Sequence, residues 1–217
     1  MNGMCNPFRV GARYHHGRLR EALLVASREI LAESGARGLS LREAARRAGV
    51  SSAAPYRHFQ DKAALLVALA HAAFSRLDVE LEEVARAHAD SPPLERVQRL
   101  GVTYVGFAAR NPAEFRLMFG ELAPAPESSP ELAAITASTA SHLPRALEDL
   151  RFEEGSESPP LVNLTLLAWS IVHGLSTLWL DGHLRYFGDQ SVELITEQVT
   201  SVLIAALRGR IRTKDPA

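Results

Sequence analysis

LSLREAARRAGVSSAAPYRHFQDK, residues Leu39–Lys62, is the stretch from which the fold of this chain is read. Ser40 stands three residues before Glu43, the S-x-x-E spacing of a capping box, in which each side chain satisfies a backbone N–H at the other's end. Leu39 and Ala44 are placed as a hydrophobic staple around that cap. A helix therefore starts at Ser40. Leu41, Ala44, Ala45 and Ala48 share one face, Arg42, Arg46 and Arg47 point elsewhere, and Gly49 supplies the freedom a turn needs. A second helix is expected from Ser51 or Ser52, either of which can cap it, through Ala53, Ala54, Pro55, Tyr56, Arg57 and His58 to Phe59. With Ser52 as the cap, Pro55 falls at the third helical position, where the N–H has no intrahelical partner to lose. Two short helices around a glycine turn form a helix-turn-helix, whose second helix can enter a DNA major groove.

Working outward, Gly17–Arg20 leads into a supporting helix with Leu23, Ser27, Ile30, Leu31 and Ser34 on one side and Gly35 at its end. Beyond the motif, Asp61 caps a long helix in which Leu65, Leu69, Ala73, Leu77 and Leu81 recur as far as Ala89. Ser91-Pro92-Pro93 breaks it. Helices follow over 94–110, 113–119, 131–152 (with Pro144 a candidate bend), 161–180 and 191–210, separated by a proline-rich loop at 120–130 and an acidic linker at 153–160. The reading is an all-α chain of about nine helices: a flexible tail over 1–16, a three-helix bundle carrying the motif over 17–62, a larger helical domain over 63–212, and a tail over 213–217.

Composition bounds the function. With 47% hydrophobic residues in 217, the chain can bury a core, and one cysteine, Cys5, offers neither a disulfide framework nor a thiolate metal site. The N-terminus lacks a secretion signal, so a cytoplasmic protein is expected. The net charge of −1 hides a partition. Residues 1–62 hold eleven Lys/Arg against five Asp/Glu, a net of +6, which leaves 13 basic and 20 acidic residues beyond, a net of −7. A basic first part on an acidic body points to a polyanionic partner for that part.

The chain resembles the TetR-type transcriptional regulators. The resemblance rests on Tyr14-His15-His16-Gly17, Val50-Ser51, Tyr56-Arg57-His58-Phe59 and Asp61-Lys62-Ala63-Ala64-Leu65. Asn111-Pro112-Ala113-Glu114-Phe115 through Phe119, with Trp169-x-x-x-His173-Gly174, looks like the subgroup whose C-terminal domain carries a Trp-His-Gly signature. Pro55 departs from the larger apolar residue common at that place in the family. The resemblance implies an all-helical homodimer with an N-terminal DNA-binding domain and a C-terminal ligand-binding and dimerisation domain. It also implies phosphate contacts from Tyr56, His58, Lys62 and Ser40, the last helped by the free N–H groups of its helix start. Base edges fall to Ser52, Ala53, Ala54 and Arg57, of which Arg57 alone can contact guanine in a bidentate way, and Ser51 belongs to the same DNA-binding set. Phe59 and Val50 read as core, and Arg46 and Arg47 as a solvated basic face.

In the body, 160–180 is an uncharged run long enough to span a bilayer. Asn163, Thr165, Ser170, His173, Ser176 and Thr177 interrupt it and no basic flank marks it, so no membrane association is expected. A helix apolar nearly all round is instead expected between its own domain and a partner, and the resemblance implies that 161–180 and 191–210 together form the homodimer face. Phe74, Tyr104, Phe107, Phe115, Met118, Phe119, Trp169, His173 and Thr177 are candidates to line an effector pocket; each also reads as ordinary core. A mainly apolar effector follows, because few charges could reach such a site. No catalytic or metal-binding spacing is present, and no cofactor is implied. The function expected is a ligand-responsive repressor on a palindromic operator. The alternatives are a constitutive DNA-binding protein and, further off, a small helical enzyme built on His173, His183 or Asp181.

Overall fold

A computed structural model describes residues 16–150 and 159–208. Most of the two expected tails, most of the 153–160 linker and the Tyr14-His15 part of the motif lie outside these residues. Among the described residues there are eight α-helices, three 3₁₀ segments and no strand. The chain divides into two compact units with the boundary between Leu65 and Leu66.

In the first unit, α1 (His16–Gly38) breaks at the expected stop, Gly35, whose φ of 64° is non-helical and kinks the chain before a last short piece to Gly38. Its face Leu23, Ile30 and Leu31 is buried together with Leu39, Ala44, Ala45, Phe59 and Leu65. α2 (Leu41–Arg47) starts where the cap predicts it, Ser40 Oγ accepting from Glu43 N–H at 3.2 Å. The other arm of the capping box takes a different course. Glu43 gives its carboxylate to Arg46 (2.7 and 2.8 Å) and Arg47 (3.1 Å), because guanidinium groups three and four residues on are stronger partners than a backbone N–H. Gly49 then turns the chain with φ 68°.

The segment after that turn differs from expectation. Instead of an α-helix capped by Ser52, residues 52–54 form turns and only Pro55–Arg57 is helical, as a single 3₁₀ turn whose cap is Ala54. The proline explains the change. Without an N–H it cannot donate to Ser51 O, and its ring crowds that same carbonyl, which instead accepts from Ala54 N at 3.0 Å. Pro55 thus occupies the first helical position rather than the third, and its side chain is fully buried. This is the expected helix that is not α-helical among the described residues.

α3 (Lys62–Ala87) is capped by Asp61, whose Oδ1 accepts from Ala64 N–H at 2.8 Å. In the second unit α4 (Pro93–Arg110) packs against α6 (Pro130–Glu148), α7 (Leu161–Leu180) and α8 (Val192–Arg208), and α5 (Pro112–Phe119) follows α4 across Asn111. α6 runs on through Pro144. The core here is Leu69, Ala73, Leu77, Val105, Phe107, Leu117 and Leu132. α7 is the one helix among the described residues long and apolar enough to cross a membrane, with mean hydropathy 1.5.

Candidate DNA-contacting surface and ligand cavity

In the first unit the residues singled out around the turn are mostly at the surface. Ser40, Ser51, Ser52, Ala53 and Arg57 are exposed, Ala54, His58 and Lys62 half-buried, and Tyr56 is 52% exposed beside the buried Pro55 and Phe59. The 3₁₀ turn orients them: burying Pro55 and Phe59 on one side leaves Tyr56 and Arg57 on the other. Neither Tyr56 nor Arg57 makes a side-chain hydrogen bond among the described residues. Lys62 spends one N–H of its ammonium on Arg37 O at 3.0 Å.

Arg46 and Arg47 are held differently. Arg47 pairs with Glu33 at 2.5 Å as well as with Glu43, fastening α2 to α1. The hydrogen bonds from Arg46 and then Arg47 hold the Glu43 carboxyl at about 2, and that from Arg47 also lowers Glu33. These two arginines are therefore largely neutralised, and the cationic character of the exposed turn rests more on Arg57 and Lys62.

The second unit encloses a cavity of about 540 Å³ lined by α3 to α8 and the loop 123–126. Phe74, Tyr104, Met118, Phe119 and Trp169 of the expected set lie on its wall. Phe107, Phe115, His173 and Thr177 do not. Phe107 is fully buried with the Arg76 guanidinium over its ring, since its face of α4 turns toward α3 rather than into the void. Phe115 and His173 stand behind Tyr104 and Phe119, ring centroids 5.6 Å (Phe115–Tyr104) and 5.1 Å (His173–Phe119) apart. Thr177, a further turn along α7, is exposed and donates to His173 O.

A polar chain backs this wall. Trp169 Nε1–H can only donate, and reaches Tyr104 Oη at 3.4 Å. Tyr104 can then give its own proton to His173 Nδ1 at 2.9 Å, which makes the imidazole the Nε2–H tautomer. Burial pushes the tyrosine hydroxyl up and the imidazole down, so both stay neutral near pH 7.

The sequence reading missed Gln98, Thr136, Thr139, His142 and Thr200 on the wall. The signal for two of them was available: Thr136, Thr139, Ala140 and Leu143 fall at helical spacing on one face of α6, but small and polar residues do not stand out as a core stripe. His142 is buried, its Nε2 3.0 Å from Asp78 Oδ1 and its Nδ1 3.9 Å from Glu82. Arg76 pairs with Glu114, tying α3 to α5.

The exposed motif of one unit and the cavity of the other define a class: helical regulators that join a DNA-binding module to a larger helical body. Residues 23–69 match the family model described as bacterial regulatory proteins, tetR family, and residues 97–210 match the tetracyclin repressor-like C-terminal domain. The chain belongs to the TetR family of bacterial transcriptional regulators. It is similar to an HTH-type transcriptional regulator of Mycobacterium tuberculosis, 34% identical over 135 residues covering 60% of this chain. That match takes in 56% of the relative, so the chain spans just over half the length of the curated relatives it matches. A protein of unknown function from Rhodococcus sp. RHA1 has the same fold, with TM-score 0.73 and 31% identity over 92% of this chain and 99% of that one. The transcriptional regulator FadR from Bacillus subtilis, solved in complex with stearoyl-CoA, is 17% identical with TM-score 0.66, covering 86% and 98%.

Proposed function

We propose that this chain is a ligand-responsive repressor, a homodimer that holds a palindromic operator and releases it when a small, mainly apolar molecule occupies the cavity. The observation that carries the reading is the cavity itself. Its volume lies in the usual range for small-molecule sites, its walls are mostly aliphatic and aromatic, and α3, which begins at Lys62 directly after the motif, supplies Phe74 and Leu81 to it. The complex of the Bacillus subtilis FadR with stearoyl-CoA supports a ligand with a long alkyl part in a body of this fold. A ligand acts only if it binds two arrangements of the dimer with different affinity, so occupancy must favour the arrangement whose recognition surfaces no longer match the operator.

Residues 17–62 are the DNA-binding domain in this reading and 63–212 the ligand-binding and dimerisation domain. Ser40, Tyr56, His58 and Lys62 contact phosphates, Ser52, Ala53, Ala54 and Arg57 meet base edges, and Ser51 lies in the same DNA-binding surface. The dimer forms through α7 and α8, where Val162 (61% exposed), Leu166, Leu178, Leu194 and Val202 (71% exposed) lie uncovered in the single chain. Pairing with a second copy accounts for the long apolar α7 without a membrane. It also sets two half-sites about one helical turn, ~34 Å, apart. Such a protein acts in the cytoplasm, where the DNA is.

The test combines light scattering with titration of fluorescent DNA from the region upstream of the chain's own gene. A dimer that binds one segment with steep salt dependence, and is released by a lipophilic compound that also displaces a hydrophobic dye, supports the reading. A monomer at micromolar concentration, or binding no tighter than to random DNA at low salt, defeats it. Release by no compound that enters the cavity would leave a constitutive DNA-binding protein.

A further inference from the structure

The cavity wall has a one-sided hydrogen-bond inventory. The two N–H groups of the Gln98 amide are shared among Glu197 O, Thr200 Oγ1 and Ser201 Oγ, at 3.1 to 3.2 Å, which leaves it a carbonyl oxygen. The threonine hydroxyls are spent in the same manner. Thr136 donates to Leu132 O, Thr139 to Ile135 O and Thr165 to Leu161 O, each at 2.8 to 2.9 Å along its own helix. Each keeps lone pairs and has no proton to offer. Trp169 donates to Tyr104, whose hydroxyl is engaged with His173 Nδ1.

Charge is absent in the same way. Among the described residues the lining contains no lysine, arginine, aspartate or glutamate. The arginines of α3 and α4, Arg76, Arg86, Arg96, Arg99 and Arg110, all pair with carboxylates and none of them is on the wall. Both nitrogens of the His142 ring are turned to the carboxylates of Asp78 and Glu82. An anion entering this space would lose its water and find neither a cation nor a spare side-chain donor. A bare cation would find no counter-charge.

We infer that the cavity selects an uncharged lipophile carrying a hydroxyl or N–H donor, which the threonine and glutamine oxygens accept, and rejects fatty carboxylates. This rests on the proposed ligand site and narrows it. The Bacillus subtilis FadR neighbour, at 17% identity, shares the fold and sets no expectation for this polar inventory.

Direct titration of the full chain, read by quenching of tryptophan fluorescence, tests the inference without DNA. The probes share one chain length: 1-decanol, decyl methyl ether, decanoate at pH 8 and decyltrimethylammonium. Decanol should bind about tenfold more tightly than the ether, which has the oxygen and lacks the donor. Decanoate and the ammonium should bind at least ~100-fold more weakly than decanol. In a Thr136→Val, Thr139→Val, Thr165→Val chain the alcohol-to-ether ratio should fall toward one while ether affinity is kept, which a general loss of structure would not produce. Decanoate binding as tightly as decanol, or ether matching alcohol in the unaltered chain, overturns the inference and leaves the ligand-site reading standing. Binding of no probe overturns both. The expected order of affinities without any operator release upholds the inference and removes the effector from the proposed function.

Discussion

The exposed turn around Tyr56 and the cavity wall around Tyr104 are built from the same groups, hydroxyls, an aromatic ring and an imidazole, and they dispose of their hydrogen-bond donors in opposite ways. Tyr56 and Arg57 stand at the surface with their donors uncommitted, as a polyanion would require. Tyr104 is buried in a chain running from Trp169 to His173, and its neighbouring threonines donate to their own helices. Residue type alone therefore does not decide the role. What decides it is whether the backbone or a neighbour has already taken the proton.

Five substitutions test this contrast, the largest effect first. Under the proposed function Arg57→Ala should cost about 1–3 kcal/mol of operator binding, concentrated at one base pair of the half-site. Lys62→Ala should weaken all sequences alike and lower the salt slope by roughly one. Binding measured across a set of single-base operator variants and several salt concentrations separates them. Equal losses at every position for both would remove Arg57 as a reader.

The two tyrosines sharpen the comparison next. Tyr104→Phe removes the acceptor of Trp169 and the partner of His173, and should lower stability to denaturant by about 1–2 kcal/mol. Tyr56→Phe should leave stability within roughly 0.5 kcal/mol and affect only DNA affinity. Similar stability losses at both positions would mean that Tyr56 is a packing residue.

The smallest effect is at Glu43. Its folded-state pKa of about 2 lies below the ordinary 4.5, so the stabilisation from its pairing with Arg46 and Arg47 is complete above the ordinary value and is lost as pH falls through about 2. The stability difference between the parent chain and Glu43→Gln should be constant above about pH 5 and shrink steadily below it. A difference that persists unchanged at pH 2 would assign the effect of Glu43 to packing.

Much of the architecture was legible beforehand because it rests on local chemistry. Ser40 and Asp61 cap helices from one side chain each, Gly49 turns the chain with a positive φ, and Pro92-Pro93 and Pro112 mark the breaks before α4 and α5. The recognition segment was misread because two local preferences compete there. Ser52 is a good cap, yet Pro55 removes the donor that would tie the first turn to Ser51, and burial of the proline ring settles the contest for a 3₁₀ turn.

The sequence by itself determined the helical class, the family and the basic stretch that carries the motif, since caps, periodicity and charge are properties of neighbours along the chain. Only the tertiary structure decided which aromatic residues face a void and which are core. Phe107 and Tyr104 are three residues apart on one helix, and their separation into buried packing and cavity wall follows from what α3 and α7 bring against each side. The polar character of the cavity was equally hidden. A threonine in sequence is a donor and an acceptor, and it becomes an acceptor alone once its proton is given to the carbonyl four residues before it.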